Sequence, residues 1–367
     1  MTQPEPVAAL PLVTTAELPD GTRLPVRGLR APAPERFLPS GSGPAPGPPP
    51  APVVLVLPAM GTPARFYRRF ARQLHDEGLT ALTADLRGQG EATPRRTGRA
   101  AGDHGYRAIV EEDLPALLAA IRAELGAEPP LYLLGHSLGG QLALVYASLA
   151  RKTVGAGGSE FGGSDFGGSG VGGSGVGGPD LRDAGVGGSG VGGSGFRGPG
   201  VDGVVIVATG SVWFRAFGAL RGPGLLLTQL LITATAAVLG RWPGTRLGFG
   251  GDQPRGVMRD WARQVRTGRY RARGSALDYE TVLGTLDLPV LAVSVERDAY
   301  APAGALDHLL AKTPRARLTR HHLTARETGT RLDHFAWARA GGALAKRVAA
   351  WATADGRRAG GHRAGES

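Results

Sequence analysis

The sequence predicts an α/β fold in which a mostly parallel central sheet is flanked by helices and carries a helical cap insertion. Two observations support this prediction. Nearly unbroken apolar runs of strand length, such as residues 288–295, are typical of strands buried on both faces of a parallel sheet. Amphipathic stretches with helical periodicity, such as residues 106–125, occur between such runs. Alternation of these two patterns is typical of helices packed on a parallel sheet.

Residues 1–52 are predicted to form an N-terminal hairpin followed by a connector. The hairpin covers residues 12–29 and turns at Pro19-Asp20-Gly21-Thr22. The proline-rich segment 32–52 is expected to be extended and mobile. Residues 53–210 then form the first part of the core, with a strand, a small-residue turn and a helix over 52–74 and further strands over 78–85 and 201–210.

Residues 287–352 are predicted to form the second part of the core, and two other segments are predicted to be disordered. The insertion at 155–200 repeats units of the type VGGSG, which contain too few apolar residues to pack. It follows a helix that runs back down the sheet, so we expect it at the edge where the parallel strands begin and not as a lid. A tether or an interaction arm is the functional alternative. The polar tail 353–367 is the second disordered segment.

A helical cap is predicted over residues 211–286, at the edge where the parallel strands end. Its first half, residues 224–240, is nearly all apolar but shorter than the roughly 20 residues that span a bilayer. We therefore expect a buried cap helix, and an interfacial helix in contact with membranes is the minority interpretation. The second half is rich in arginine, which favours a solvated helix face over attraction of an anionic substrate.

Ser137 is the candidate nucleophile. It stands between Gly135 and Gly139, where an apolar run that begins at Leu131 changes to a helical pattern. A sharp strand-to-helix turn leaves a serine exposed and accepts only small residues two positions away. The same turn directs the amide of Leu138 and the N-terminus of the next helix toward an oxyanion formed on Ser137. We therefore predict the Leu138 amide to be one oxyanion donor.

Asp298 and His334 are the candidate acid and base. Asp298 follows the strand over 288–295, and His334 follows a final strand predicted over 316–325. Both therefore lie past the carboxyl ends of strands, where open parallel sheets place their active sites. In this interpretation His334 accepts the proton of the Ser137 hydroxyl, while Asp298 fixes the tautomer of the imidazole and stabilises its charged form.

Other titratable residues are weaker candidates. Asp287 precedes its strand and lies at the wrong edge of the sheet, whereas Glu296 and Asp333 are expected to be solvated or to cap a turn. The geometry of the turn directs His136 away from Ser137, which favours a packing role. The remaining histidines are expected to be structural or match no metal-ligand spacing.

The turn Gly-His-Ser-Leu-Gly and the chain order Ser137, Asp298, His334 resemble those of serine hydrolases of the α/β-hydrolase superfamily. Further segments resemble a bacterial subgroup of predicted hydrolases: LPAMG, ADLRGQGEA, GHSLGGQLAL, RWPGTRLGFGG, MRDWARQVRTGRY and DHFAWAR. The resemblance covers most of the chain outside the N-terminus, the glycine-rich insertion and the tail. It implies the α/β-hydrolase fold, a serine mechanism that needs no cofactor, and a structural role for Asp85.

The amide of Met60 is the candidate second oxyanion donor. It lies in the turn after the strand that begins at residue 52, where related hydrolases carry His-Gly and this chain carries Pro58-Ala59 followed by Met60-Gly61. A backbone donor needs no particular side chain, so this departure is compatible with catalysis.

Composition argues against several other classes of function. The net charge of +11 comes mainly from arginine, but aromatic residues do not interleave with the basic ones, so no nucleic-acid partner is expected. A chain without cysteine has no disulfide, thiol nucleophile or thiolate metal site. Residues 1–29 lack the basic start and continuous apolar core of a signal peptide, which predicts a cytoplasmic location.

These residues together predict a cofactor-independent serine hydrolase that cleaves an ester or thioester of a hydrophobic acid through an acyl-enzyme. The expected partner is a small-molecule acyl substrate. Two alternatives stay open: an acyltransferase or peptidase that uses the same triad, and a non-catalytic binding protein of the same fold.

Overall fold

A computed structural model of the chain describes residues 8–32, 49–92, 103–150, 196 and 198–363, with side chains up to residue 354. Most of the predicted connector and most of the glycine-rich insertion lie outside the described residues, as do the last four residues of the chain. The predictions of mobility and disorder made for these segments are therefore not tested.

Eight strands form one sheet in the order β1-β2-β4-β3-β5-β6-β9-β10. In chain order the strands are β1 (Leu12–Glu17), β2 (Arg23–Leu29), β3 (Val53–Leu57), β4 (Thr80–Ala84), β5 (Leu131–His136), β6 (Gly203–Val207), β7 (Arg241–Pro243), β8 (Asp252–Pro254), β9 (Pro289–Val295) and β10 (Arg317–Leu323). The N-terminal hairpin β1–β2 pairs antiparallel and joins β4 antiparallel, whereas the strands from β4 to β10 in the sheet pair in parallel. The predicted mostly parallel sheet is thus confirmed.

Helices cover both faces of this sheet. They are α1 (Arg68–Asp76), α2 (Tyr106–Ala108), α3 (Leu114–Leu125), α4 (Leu138–Leu149), α5 (Gly218–Leu239), α6 (Gly244–Leu247), α7 (Arg255–Thr267), α8 (Tyr279–Leu283), α9 (Ala303–Leu310), α10 (Ala325–Thr328) and α11 (Gly342–Arg363). A π-helical turn joins α2 to α3, and short 3₁₀ segments lie at Ala64–Tyr67, Phe214–Phe217 and Ala336–Ala338.

Alternate side chains of the central strands divide the core into two layers. Val53, Leu55 and Leu57 of β3 join a cluster with α3 and α4, whereas Val54 and Val56 join a cluster with α1 and α11 on the other face. A strand buried on both faces is apolar at every position, which explains the unbroken apolar runs in the sequence. The loops at the ends of the sheet are therefore attached to strands that helices cover on both faces.

The segment between β6 and β9 forms the cap. It contains α5 to α8 and also a two-stranded antiparallel ribbon, β7–β8, which the sequence analysis did not predict. Trp242 of β7 is buried, and its Nε1–H donates to the carbonyl oxygen of Phe249 at 2.8 Å. The short ribbon is therefore stabilised by one anchoring side chain as well as by its ladder.

The prediction that the apolar cap helix is buried is wrong for one face of that helix. Within α5 the buried residues are Gly222, Gln229, Ile232 and Ala236. The helix packs against α7, but it has no comparable neighbour on its outer side in the described part of the chain. Apolar composition does not reveal whether a second layer of protein is present to cover both sides of a helix.

The last helix continues further than the sequence analysis predicted. The polar tail was expected to be disordered from residue 353, but α11 runs to Arg363. Alanine and arginine in this stretch favour a helix and its three glycines oppose one, but each added residue extends an existing hydrogen-bond ladder without a new nucleation step. The predicted start of disorder is therefore corrected.

Candidate active site

Ser137 lies at a tight turn between β5 and α4 with φ 53° and ψ −115°. Few residues other than glycine adopt such a positive φ, and an outlier of this kind costs on the order of 1–3 kcal/mol. Neighbouring hydrogen bonds hold the conformation, because the Ser137 N–H donates to the Val207 carbonyl at 3.2 Å and the Gly140 N–H donates to the Ser137 carbonyl at 3.1 Å. The side chain is thereby presented at the carboxyl edge of the sheet.

The glycines on either side of Ser137 are required by close backbone approach. A Cβ atom on Gly135 would lie 2.3 Å from the Cα of Gly140, and one on Gly139 would lie 2.4 Å from the carbonyl oxygen of Leu57. Real Cβ atoms do not approach backbone atoms so closely. This agrees with the prediction that larger residues would collide at these two positions.

Asp298 and His334 lie in contact at the same edge. Asp298 follows β9, and its two carboxylate oxygens are each 2.9 Å from His334 Nδ1. The amides of Tyr300 and Ala301 also donate to Asp298 Oδ1, at 2.8 and 2.9 Å. The carboxylate side chain is only 1% exposed, so these donors replace water around its charge.

This arrangement selects one tautomer of His334. Because Nδ1 faces the carboxylate, it carries the hydrogen that is donated to Asp298, and the lone pair of the neutral ring is on Nε2. The rings of His136, Tyr300 and Phe335 surround the imidazole, with centroid distances of 4.8, 5.0 and 4.8 Å. His334 is therefore oriented as a proton acceptor, and its own side chain is almost fully buried.

Ser137 and His334 both line one cavity of about 420 Å³ beneath the cap, together with Met60 and Leu138. The rest of the lining is mostly apolar. Residues supplied by the cap include Phe217, Arg221, Leu225, Thr228, Phe249 and Trp261. None of the described lining residues is acidic, and Arg221 is the one permanent charge among them.

The two predicted oxyanion donors border this cavity. Among the described residues, neither the Met60 N–H nor the Leu138 N–H donates to another group of the protein. The neighbouring Ala59 N–H, by contrast, donates to the Tyr67 hydroxyl at 3.0 Å. Leu138 also begins α4, so the positive end of a helix dipole faces the same space. The geometry agrees with the two amides named from the sequence, whose catalytic role stays a prediction.

The loop that carries Met60 contacts the cap backbone to backbone. A Cβ atom on Gly61, whose φ is +68°, would lie 2.2 Å from the carbonyl oxygen of Gly250. A Cβ atom on Gly251 would lie 2.7 Å from the Cα of Gly61. Glycine is needed on both sides of this contact, both for the positive φ and for the short separation.

Tyr67 and His136 form a buried pair behind the site that the sequence analysis did not identify. The Tyr67 hydroxyl lies 2.7 Å from His136 Nδ1 and accepts the Ala59 N–H. Burial raises the pKa of Tyr67 far above its ordinary value, so the hydroxyl keeps its proton and donates it to His136. Burial also lowers the pKa of His136 well below its ordinary value, and His334 lowers it further, so the His136 ring is neutral.

No local pattern marks Tyr67 in the sequence, because it occupies an apolar position of a helical stretch. The predicted packing role of His136 agrees with its full burial, but the ring also packs directly against His334. Tyr67 thus connects the loop of Met60 to the residues that surround the candidate base.

We expect Tyr67→Phe to lower the free energy of unfolding by about 1–3 kcal/mol, because it leaves the Ala59 N–H and His136 Nδ1 buried without their partner. It should also lower kcat for ester hydrolysis by up to about 100-fold through displacement of the Met60 loop. Tyr132→Phe is the control, since its buried hydroxyl donates to the Ala352 carbonyl near the start of β5, whereas His136 is the last residue of that strand. Urea unfolding and steady-state kinetics should show a similar loss of stability in both variants but a loss of kcat only in Tyr67→Phe.

The competing acidic residues have structural partners away from His334. Glu296 Oε2 accepts the Ala325 N–H at 2.6 Å, and Asp333 Oδ1 accepts the Phe335 and Ala336 amides at 2.8 and 2.7 Å. Asp85 accepts the Ala64 and Glu91 amides at 2.6 and 2.9 Å, and burial raises the pKa of its carboxyl. No group of three or more candidate metal ligands occurs among the described residues.

Comparison with known proteins supports the same fold. A family model described as serine aminopeptidase, S33 matches residues 48–157. A soluble variant of monoglyceride lipase from Saccharomyces cerevisiae, in complex with a substrate analog, has a TM-score of 0.59 at 14% identity, covering 97% of this chain and 99% of that one. The DcsB complex with its substrate analogue has a TM-score of 0.51 at 13% identity, covering 95% of this chain and 99% of that one. No curated protein sequence matches the chain significantly.

Proposed function

We propose that the chain, which has the α/β-hydrolase fold, is a serine hydrolase that cleaves an ester or thioester of a hydrophobic acid through an acyl-enzyme. The observation that carries this proposal is the apolar cavity of about 420 Å³ that Ser137 and His334 both border. A site of this size and polarity fits an acyl chain with its carbonyl at the serine.

In the first half of the reaction, the Ser137 oxygen attacks the substrate carbonyl carbon while His334 Nε2 takes the hydroxyl proton. The tetrahedral oxyanion accepts hydrogen bonds from the amides of Met60 and Leu138. His334 then gives the proton to the leaving alcohol or thiol, and the acyl group stays on Ser137. Asp298 stabilises the imidazolium and does not itself take the proton.

In the second half, water attacks the acyl-enzyme and His334 accepts one of its protons. Collapse of the second tetrahedral intermediate returns that proton to the Ser137 oxygen and releases the acid. Tyr300 and Phe335 beside His334 line the same cavity, through which this water reaches the acyl-enzyme. An alcohol or amine that enters the same way would make the protein a transferase.

The description of the matched family makes an aminopeptidase the second candidate. Recognition of a free α-amino group requires a carboxylate near the site, because a buried ammonium needs a paired negative charge. The described lining contains Arg221 but neither aspartate nor glutamate. This charge pattern favours an uncharged acyl chain over the amino terminus of a peptide.

Hydrolysis of p-nitrophenyl esters of increasing acyl length tests the proposal. We expect kcat/KM to rise from acetate to medium-length chains, since added methylenes fill apolar cavity surface. Leu225→Trp, which narrows the cavity from α5, should shift the preference toward shorter chains, whereas Leu220→Trp on the exposed side of the same helix should not. Faster release of arylamine from aminoacyl arylamides than of p-nitrophenol from every ester would contradict the proposal and favour the peptidase.

A further inference from the structure

Helix α5 carries an apolar stripe on its solvent side. Leu220, Leu227, Leu231 and Val238 are 97%, 69%, 65% and 80% exposed. Their spacing places them on one side of an α-helix, and Ala234 lies exposed between them. We refer to these five residues as the exposed apolar face.

The opposite side of the helix is buried and contains polar groups. Gln229 is fully buried, and its Nε2 donates to Thr233 Oγ1 at 3.1 Å within the helix. Ile232 and Ala236 are buried on the same side, so α5 is apolar on both sides and the described protein covers only the inner one. Folding of the cap does not explain why the outer positions are leucine.

The helix is also unusual in length and composition. The segment Phe214–Leu239 is long and apolar enough to cross a membrane, with a mean hydropathy of 1.6 over its most apolar 18 residues, yet only 22% of that stretch is buried in the protein. Contiguous apolar patches of this kind on a protein surface mark sites of interaction.

We propose that the exposed apolar face of α5 docks on an anionic lipid surface, with the helix lying in the plane of the interface. Arg221 precedes the apolar run and Arg241 follows it, and no charged residue lies between them. The helix has 22 residues and is therefore about 33 Å long. Arginines at both ends of a flat apolar helix match the headgroup layer of an anionic bilayer.

A peripheral position fits the packing better than a membrane-spanning one. The inner side of α5 packs on α7 and carries the buried Gln229, and a bilayer would have to replace those contacts. Only the outer side is free to enter the boundary between headgroups and acyl chains.

The docked side also adjoins the candidate active site. Arg221, Leu225 and Thr228 of α5 line the cavity and lie one helix face away from the exposed apolar face. A lipid surface on the outer side of α5 would therefore lie close to the cavity. The docking itself does not depend on the proposed hydrolase activity.

A second copy of the chain is the other occupant to consider. In a twofold-symmetric pair, each face would meet its own copy and bring arginines of like charge together. The chain as a whole carries a net charge of +11, which also opposes self-association and favours an anionic partner.

Co-sedimentation with sucrose-loaded vesicles tests the proposal. The full chain should bind vesicles of phosphatidylcholine with phosphatidylglycerol more strongly than vesicles of phosphatidylcholine alone. Leu227→Gln/Leu231→Gln should weaken this binding about tenfold, because two apolar side chains no longer enter the interface. The matched control is Leu12→Gln/Leu318→Gln, which changes two exposed leucines of the sheet outside the cap and should bind as the unmodified chain does.

A charge variant and a measurement of mass complete the test. Arg241→Gln/Arg246→Gln should reduce binding to the anionic vesicles and leave binding to phosphatidylcholine unchanged. Equal binding of Leu227→Gln/Leu231→Gln and the unmodified chain would overturn the proposal. The proposal would also be overturned if the unmodified chain did not bind vesicles and if light scattering showed a dimer that Leu227→Gln/Leu231→Gln dissociates. Because binding is measured without substrate, it stays separate from the outcome of the esterase assays.

Discussion

Replacement of Ser137 by alanine should abolish labelling by a fluorophosphonate probe and lower ester hydrolysis by about 10⁶-fold, the loss seen when a serine protease loses its nucleophile. The probe reacts with a serine only where a base withdraws its proton and amides stabilise the resulting charge. Alanine lacks the reacting oxygen but is small enough for the turn. Mass spectrometry of the labelled peptide and initial rates on one activated ester measure both effects.

Ser294→Ala is the matched control for this experiment. The Ser294 hydroxyl lies 2.8 Å from His322 Nδ1, so it is also a serine paired with a histidine, but neither residue lines the cavity. Labelling should persist in Ser294→Ala. If a correctly folded Ser137→Ala protein is still labelled, then Ser137 is not the nucleophile and the mechanism proposed above is wrong.

The second large effect is expected at Asp298. Asp298→Asn should lower kcat by about 10⁴-fold, as in the serine-protease triad. The amide has nearly the shape of the carboxylate, but it offers an NH₂ group to His334, so the ring loses its preferred tautomer and the support for its positive charge. The rate should be measured at neutral pH on the same activated ester, with circular dichroism to verify folding.

Glu296→Gln is the control for Asp298→Asn. Glu296 caps the amide of Ala325 and is not in contact with His334, and glutamine retains an oxygen that can accept the same hydrogen bond. Its kcat should stay within about twofold of the unmodified protein, the range for a surface substitution that removes no buried partner. A greater loss of kcat in Glu296→Gln than in Asp298→Asn would mean that Asp298 has been misidentified as the acidic partner of His334.

Much of the candidate site could be predicted from the sequence because its chemistry imposes strict local requirements. The turn at Ser137 accepts only glycine two positions away on either side, so the motif is visible without a structure. Asp298 follows an unbroken apolar run, which is typical of a parallel strand buried on both faces. The loop after such a strand lies at the carboxyl edge of the sheet. The structure places Asp298 in contact with His334, although 36 positions separate them.

Other features depend on contacts between distant segments and leave no local pattern. Tyr67 supports the Met60 loop through a hydroxyl that reaches across to β5, but in the sequence it is one more apolar position of a helical stretch. The exposure of Leu227 depends on whether another layer of the described protein covers it, which hydrophobic periodicity does not report. The ribbon β7–β8 consists of strands of three residues, too short for alternation to be recognised.

The contact of Gly61 with Gly250 and Gly251 limits how the cap and the loop that carries Met60 can move relative to each other. Backbone atoms at this joint leave no room for a Cβ atom on Gly61 or Gly251, and the Met60 side chain lies next to Gly250. An inward displacement of the cap at this joint must displace Gly61, which directly follows Met60 in the chain. In the proposed mechanism, substrate admission beneath the cap and stabilisation of the oxyanion by the Met60 amide would thereby be sterically linked.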